Sequence, residues 1–277
     1  ANINEAIGDR AIDYLVVNHM EPDHSSLISY MLSTYPGLKI IANAKTVPML
    51  KGYHGVEADK VHVVAEGDTV SLGNSTLRFH MIPMVHWPET MVTYLDEEAT
   101  VFSGDAFGTF GAVNENVLDE EDTFEQYSDE MMRYYSNIVG KYGAQVQTLL
   151  KKVATLDIRK IFPLHGPMLT ENLEYYINKY DIWSSYRPED EGIFIAYASI
   201  YGNTKKTAEK LKEILENKGA KNVTVADLAR DDMAEAVEDA FRYDRLVLAS
   251  VTYDGGLFPF MESFISHLKS KNYQNRK

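Results

Sequence analysis

Residues 12–24 narrow the possible folds more than any other stretch. Ile12-Asp13-Tyr14-Leu15-Val16-Val17 is apolar, rich in β-branched residues and short enough for a strand. It runs into Asn18-His19-Met20-Glu21-Pro22-Asp23-His24-Ser25. Pro22 cannot donate to a sheet ladder and disfavours helix just before it, which predicts a loop here. Ser25 or Ser26 can then cap a helix carrying Leu27, Ile28, Met31 and Leu32. A loop leaving a strand can turn His19, Glu21, Asp23 and His24 to one side. Ionisable groups this close repel or compete unless a cation holds them. The fold must therefore offer a sheet rim where such a site can form.

Three more candidates lie where other strands should end: His86 in Met84-Val85-His86-Trp87-Pro88, Asp105 in Ser103-Gly104-Asp105, and His165 in Pro163-Leu164-His165-Gly166. Four imidazoles and three carboxylates exceed what one divalent ion normally takes, so two metals are implied. Asp105 is the natural bridge, because it lies between the His-containing motifs and has Gly104 beside it for close approach. Zinc takes His-rich sets, whereas imidazole plus carboxylate with open positions suits non-haem iron. Glu21 adds a hard anionic donor, which favours a site that must stabilise a ferric ion. His54, His62, His80 and His267 lack acidic neighbours in a motif and read as surface or core histidines.

Further strands are expected at residues 39–42, 61–64, 76–85, 91–95, 100–102 and 161–164, with helices over 123–155 and 172–183. The polar run 184–192, with Pro188 and Gly192, reads as a linker. Beyond it, strands at 193–198, 223–225 and 246–250 alternate with helices at 204–217, 233–241 and 259–269. That alternation predicts a doubly wound parallel sheet. Its first strand is followed by Ser199-Ile200-Tyr201-Gly202-Asn203-Thr204, a hydroxyl- and glycine-containing loop before a helix. Backbone N–H groups, two hydroxyls and the helix dipole suit a monophosphate such as that of FMN. Its third strand ends in Thr252-Tyr253-Asp254-Gly255-Gly256, at the switch point beside the first. Tyr253 can lie against an isoalloxazine face, and Gly255 and Gly256 give backbone access.

The chain has 277 residues, enough for about two domains. With 27 basic and 41 acidic residues its net charge is −14, which argues against nucleic acid and anionic membrane surfaces as partners. No apolar run approaches the ~20 residues of a spanning helix. Cysteine is absent, which excludes disulfides, thiolate-held zinc and iron–sulfur clusters, and fits a reducing cytoplasm. The first residues carry neither an initiator Met nor a leader-like apolar segment, and the chain reads as a fragment that enters a strand almost at once.

Together, the His-x-Glu-x-Asp-His motif, the later His86, Asp105 and His165, and the Ser-x-Tyr-Gly-Asn-Thr loop resemble the flavodiiron proteins, also called A-type flavoproteins or rubredoxin:oxygen oxidoreductases. The resemblance spans nearly the whole chain. It implies a metallo-β-lactamase-like αββα sandwich over 1–187, without its N-terminal strands, and an incomplete flavodoxin-like domain over 188–277. It implies that His19, Glu21 and His86 bind one iron, that Asp23, His24 and His165 bind the other, and that Asp105 bridges. It further implies reduction of dioxygen to water, or of nitric oxide to nitrous oxide, with electrons from FMN. The donor would be rubredoxin or a reduced deazaflavin, and the assembly a head-to-tail homodimer or dimer of dimers. A zinc hydrolase on the shared scaffold and a non-enzymatic electron carrier are the alternatives. Glu21 and the flavodoxin-like half argue against the first, and the complete ligand set against the second.

Overall fold

The computed structural model describes residues 2–112 and 124–277. Contacts divide the chain into two compact units. Residues 1–106, 155–164 and 168–170 form the first, and residues 107–154, 165–167 and 171–277 the second.

In the first unit, α1 (Asn2–Ile7) precedes β1 (Tyr14–Val16), so a helical turn stands where the sequence suggested direct entry into a strand. β1, β2 (Lys39–Asn43) and β3 (Val61–Val64) form a parallel sheet in that order. Its crossovers carry α3 (Ile28–Thr34) and α4 (Thr46–His54). A second sheet runs β4 (Thr69–Ser71), β5 (Thr76–Met81), β6 (Met91–Leu95), β7 (Thr100–Gly104) and β8 (Lys160–Pro163). It is antiparallel except for the last pair, β7 with β8.

Strand alternation sorts the core into layers. On β2, Ile40 and Ala42 pack with Ile28, Leu50 and Val56, while Ile41 between them packs with Leu77, Phe79 and Met91 of the second sheet. The central strand β2 is thus buried on both faces, by helices and by the other sheet. That explains its unbroken apolar run from Ile40 to Ala42.

Further expectations change in this unit: α3 is entered from Leu27, with no side-chain cap from Ser25 or Ser26. The motif expected as a loop through residue 25 closes into a one-turn helix, α2 (Pro22–Ser25). Proline suits the first helical position, where its missing N–H has no partner to lose. The strand expected over 76–85 stops at Met81, shortly before Pro83, which lacks a ladder donor.

In the second unit, α5 (Phe124–Tyr134), α6 (Gly143–Val153) and α7 (Leu173–Ser184) precede β9 (Asp190–Ala198). β9 lies between β10 (Val223–Asp227) and β11 (Tyr243–Ser250), all parallel. On one face of this sheet, Ile193, Ile195 and Tyr197 pack with Ala208 and Leu211 of α8 (Asn203–Asn217). α9 (Met233–Arg242) and α10 (Pro259–Ser270) cover the other, with Phe264 against Phe194. The doubly wound expectation holds. A two-residue hairpin, β12 (Thr252–Tyr253) with β13 (Gly256–Leu257), was not anticipated; Asp254 and Gly255 both take positive φ there, as a tight primed turn requires.

The helix expected over 123–155 is interrupted, and its first residue lies outside the described residues. After α5 come one π turn (Tyr135–Val139) and one 3-10 turn (Gly140–Tyr142). Tyr186 fills the break, donating its hydroxyl to the Gly140 carbonyl at 3.0 Å and accepting the Gly143 N–H at 3.3 Å. A Cβ on Gly143 would lie 2.4 Å from the Ser184 carbonyl oxygen and 2.6 Å from the Tyr186 ring. Gly143→Ala is therefore expected to destabilise the unit by about 1–3 kcal/mol. The check is a lower urea midpoint at unchanged slope.

Among the described residues, no helix is long and apolar enough to cross a membrane.

Candidate functional site

The chain reverses between Glu21 and α2, and this divides the first motif into two pairs. His19 and Glu21 lie before the turn, Asp23 and His24 on it. The Ser25 hydroxyl ties the turn back to the Met20 carbonyl at 3.0 Å. Asp105 follows β7, one residue past Gly104, whose φ of +65° is the left-handed conformation glycine favours. A Cβ there would make only ordinary contacts at 3.8–3.9 Å. The glycine therefore serves backbone conformation rather than close approach, which corrects the reason expected for it.

Asp105 has no solvent exposure, and its two oxygens face different partners. Oδ2 is 3.4 Å from His19 Nε2 and 3.0 Å from His86 Nε2. Oδ1 is 3.0 Å from His24 Nε2. Glu21 Oε2 closes the first group, 3.3 Å from His19 Nε2 and 3.0 Å from His86 Nε2. Asp23 Oδ2 is 3.5 Å from His24 Nε2.

These separations test the fit to a metal. Two donors each about 2.1 Å from one ion, at bond angles of about 90–109°, are about 3.0–3.4 Å apart. His19, Glu21, His86 and Asp105 present ligand atoms within 4.8 Å of one another, with neighbouring pairs at that spacing. The donor set is two imidazoles and two carboxylates, and it fits a divalent first-row ion.

Burial alone would push the Asp105 carboxyl up, but hydrogen bonds from His24 and His86 outweigh it and hold it well below the usual range. Burial pulls the His24 and His86 imidazoles down, but the bond to Asp105 together with the charges of Asp105 and the neighbouring carboxylates outweighs it, so both are raised.

His165 follows β8, whose Pro163 is in register with Gly104. It opens the short stretch 165–167 that packs in the second unit. There its carbonyl accepts the Thr109 N–H at 3.3 Å, and its ring lies 5.4 Å from that of Tyr134. His54, His80 and His267 bond instead to Ser29, Glu66 and the Ser263 carbonyl. His62 is exposed on β3.

The sequence did not reveal Glu89. This fully buried carboxylate accepts from His19 Nδ1 at 2.8 Å and from the Met20 N–H at 3.0 Å. Burial would raise its pKa, but the His19 bond and backbone donors lower it. The available signal was an acid set between His86-Trp87-Pro88 and an apolar strand.

In the second unit, the loops after β9 and β11 share the C-terminal rim, where the Val251 N–H bonds the Ala198 carbonyl at 3.3 Å. Ser199, 3% exposed, accepts the Gly202 N–H on its hydroxyl at 3.0 Å. Gly202, at φ +85°, then launches α8 with Asn203 and Thr204 in its first turn. Ile200 is half-buried and Tyr201 90% exposed. Thr252, Tyr253, Asp254, Gly255 and Gly256 lie exposed on the hairpin across the rim. An open loop at a helix start and a glycine-bearing turn, each following one of two adjacent parallel strands, suit an anionic flavin phosphate and its ring.

Comparison with known proteins finds two successive family matches along the chain. Residues 1–166 match the profile of the ODP family beta lactamase, and residues 194–276 that of a flavodoxin domain. An uncharacterized protein of Methanocaldococcus jannaschii is 31% identical over 96% of this chain and 66% of its own length. The anaerobic nitric oxide reductase flavorubredoxin of Aeromonas hydrophila is 28% identical over 100% of this chain and 56% of its own. The chain spans less than two thirds of these curated relatives. The solved structure of rubredoxin oxygen:oxidoreductase from Desulfovibrio gigas superposes with a TM-score of 0.89 at 25% identity, covering 96% of this chain and 66% of that one. The chain belongs to the ODP beta-lactamase family and, through the flavodoxin domain that follows, to the flavodiiron proteins.

Proposed function

We propose that this chain is the catalytic part of a flavodiiron oxidoreductase that reduces dioxygen to water, nitric oxide to nitrous oxide, or both. The observation that carries the reading is Asp105, buried, with one oxygen toward His19 and His86 and the other toward His24. A carboxylate so placed could hold two ions at once. In this reading His19, Glu21 and His86 hold one iron, and Asp23, His24 and His165 the other, within a metal-binding domain over 1–187. FMN binds in the domain over 188–277, its phosphate at Ser199–Thr204 and its ring near Tyr253. Names carried by relatives support both gases: one is a nitric oxide reductase, one a rubredoxin oxygen:oxidoreductase.

When bound, two ferrous ions and reduced FMN together store four electrons, enough for dioxygen to become two waters, and two of them suffice to couple two nitric oxides. The chain's own residues supply the place. His19 and Asp105, both buried, close one side against water. The Glu21 and Asp23 side chains, 34% and 50% exposed, leave the other side open to a small gas. Rubredoxin or a reduced deazaflavin is the proposed donor. A head-to-tail homodimer, or a dimer of such dimers, would bring one subunit's flavin to the other's metals. The cytoplasm is the proposed location.

Anaerobic turnover of the full-length protein with each gas, after metal and flavin assay, tests the reading. Consumption of neither gas by iron- and FMN-loaded protein contradicts it. Asn203→Ala or Thr204→Ala is expected to weaken FMN binding by about 10- to 100-fold, the loss of one hydrogen bond to a charged group. Metal content should stay unchanged. Flavin fluorescence titration and elemental analysis read the two effects separately.

A further inference from the structure

Glu89 lies outside the motifs, yet its placement is specific. Its Oε1 is 2.8 Å from His19 Nδ1, whereas the neighbouring Thr90 hydroxyl is 3.5 Å from the same nitrogen. The carboxylate is itself held. The Met20 N–H bonds Oε1 at 3.0 Å, and the Asn43 side-chain amide donates to the Glu89 carbonyl. Oε2 is buried and has no hydrogen-bond partner among the described residues. The Trp87 ring stands edge-on to His19 with centroids 5.2 Å apart, closing another direction in which the imidazole could turn.

We infer that Glu89 is a positioning residue: it fixes His19 with Nε2 toward the metal and, through its negative charge on the Nδ1 side, holds the potential of that iron low. The inference rests on the diiron reading above. An imidazole whose Nδ1–H is given to a carboxylate has one tautomer and one orientation left, and only Nε2 can ligate. Electron density pushed into the ring makes Nε2 a stronger donor, which stabilises ferric over ferrous ion.

Glu89→Gln and Glu89→Ala separate position from charge. Glutamine keeps an oxygen that can accept from Nδ1–H but drops the charge; alanine loses both. Full-length protein loaded with ferrous ion alone is titrated against a chelator, and its reductive titration is followed by EPR. Glu89→Gln should keep its iron and show one step of reduction at a more positive potential. Glu89→Ala should lose about 10- to 100-fold in iron affinity with FMN retained. Thr90→Val should change neither quantity. An unchanged potential in Glu89→Gln, or unchanged affinity in Glu89→Ala, overturns the inference while wild-type protein still holds two irons. Wild-type protein that binds no iron defeats the diiron reading instead. A measurement without any variant guards against misfolding: in zinc-loaded wild type, nitrogen-15 NMR should show His19 protonated at Nδ1 and metal-bound at Nε2. Metal at Nδ1 overturns the inference.

Discussion

Asp105→Ala is expected to empty both metal positions while FMN stays bound. The substitution removes both oxygens that face His19, His86 and His24, and leaves three imidazoles around a buried gap. Neither ligand group retains its shared anion, so iron should fall from two per chain to near none. Gas consumption should fall with it to that of metal-free protein. Asp105→Asn keeps the shape but offers one oxygen instead of two, and should hold at most one iron. Iron analysis with the flavin absorbance spectrum gives both readouts. Retention of two irons in Asp105→Ala would remove the bridge. Loss of FMN along with iron would show that the two sites are not separate.

The second large effect is one of stability. Arg242 ends α9 and donates to Asp129 of α5 and Glu238 of its own helix, with Glu189 4.0 Å away. Glu238 is 5% exposed. Burial pushes its carboxyl up to about 8, and Arg242, although the nearest cation, does not offset the burial because Asp129 and Asp239 add repulsion. Burial likewise lifts Asp239 to about 6. Where Glu238 is ionised, at about pH 8 and above, Arg242→Met leaves these carboxylates without their cation and should cost about 3–5 kcal/mol.

The pH dependence has a definite sign. Glu238 has an ordinary value of 4.5 and a folded value near 8, so between them the folded chain holds the extra proton. Its contribution is fully present below about 4.5 and is lost as pH rises toward 8. Urea midpoints at pH 6 and pH 8 should therefore fall with rising pH in the wild type. A midpoint in Arg242→Met equal to wild type at both values contradicts this account.

What the sequence disclosed follows from what is local. Strand composition, Pro22 and the side-chain spacing in His19–His24 are properties of neighbours along the chain. So is the βα alternation after residue 193, and β9, β10 and β11 with their helices formed as expected. Glu89 was hidden because its partner His19 is 70 positions away. No local pattern distinguishes a buried acid from a solvated one. The break at Gly140–Gly143 was equally invisible, because it is set by Tyr186 and Ser184 from another element. The turn at α2 could have been read from Pro22, which suits a helix's first position as well as it suits a loop.

Metal analysis of anaerobically purified, full-length holoprotein, with Mössbauer spectroscopy, reaches the central claim most directly. Two non-haem irons per FMN, spectroscopically coupled through a common bridge, are the expected result. Two zinc ions with no iron, or a single iron unaffected by Asp105→Asn, would contradict it.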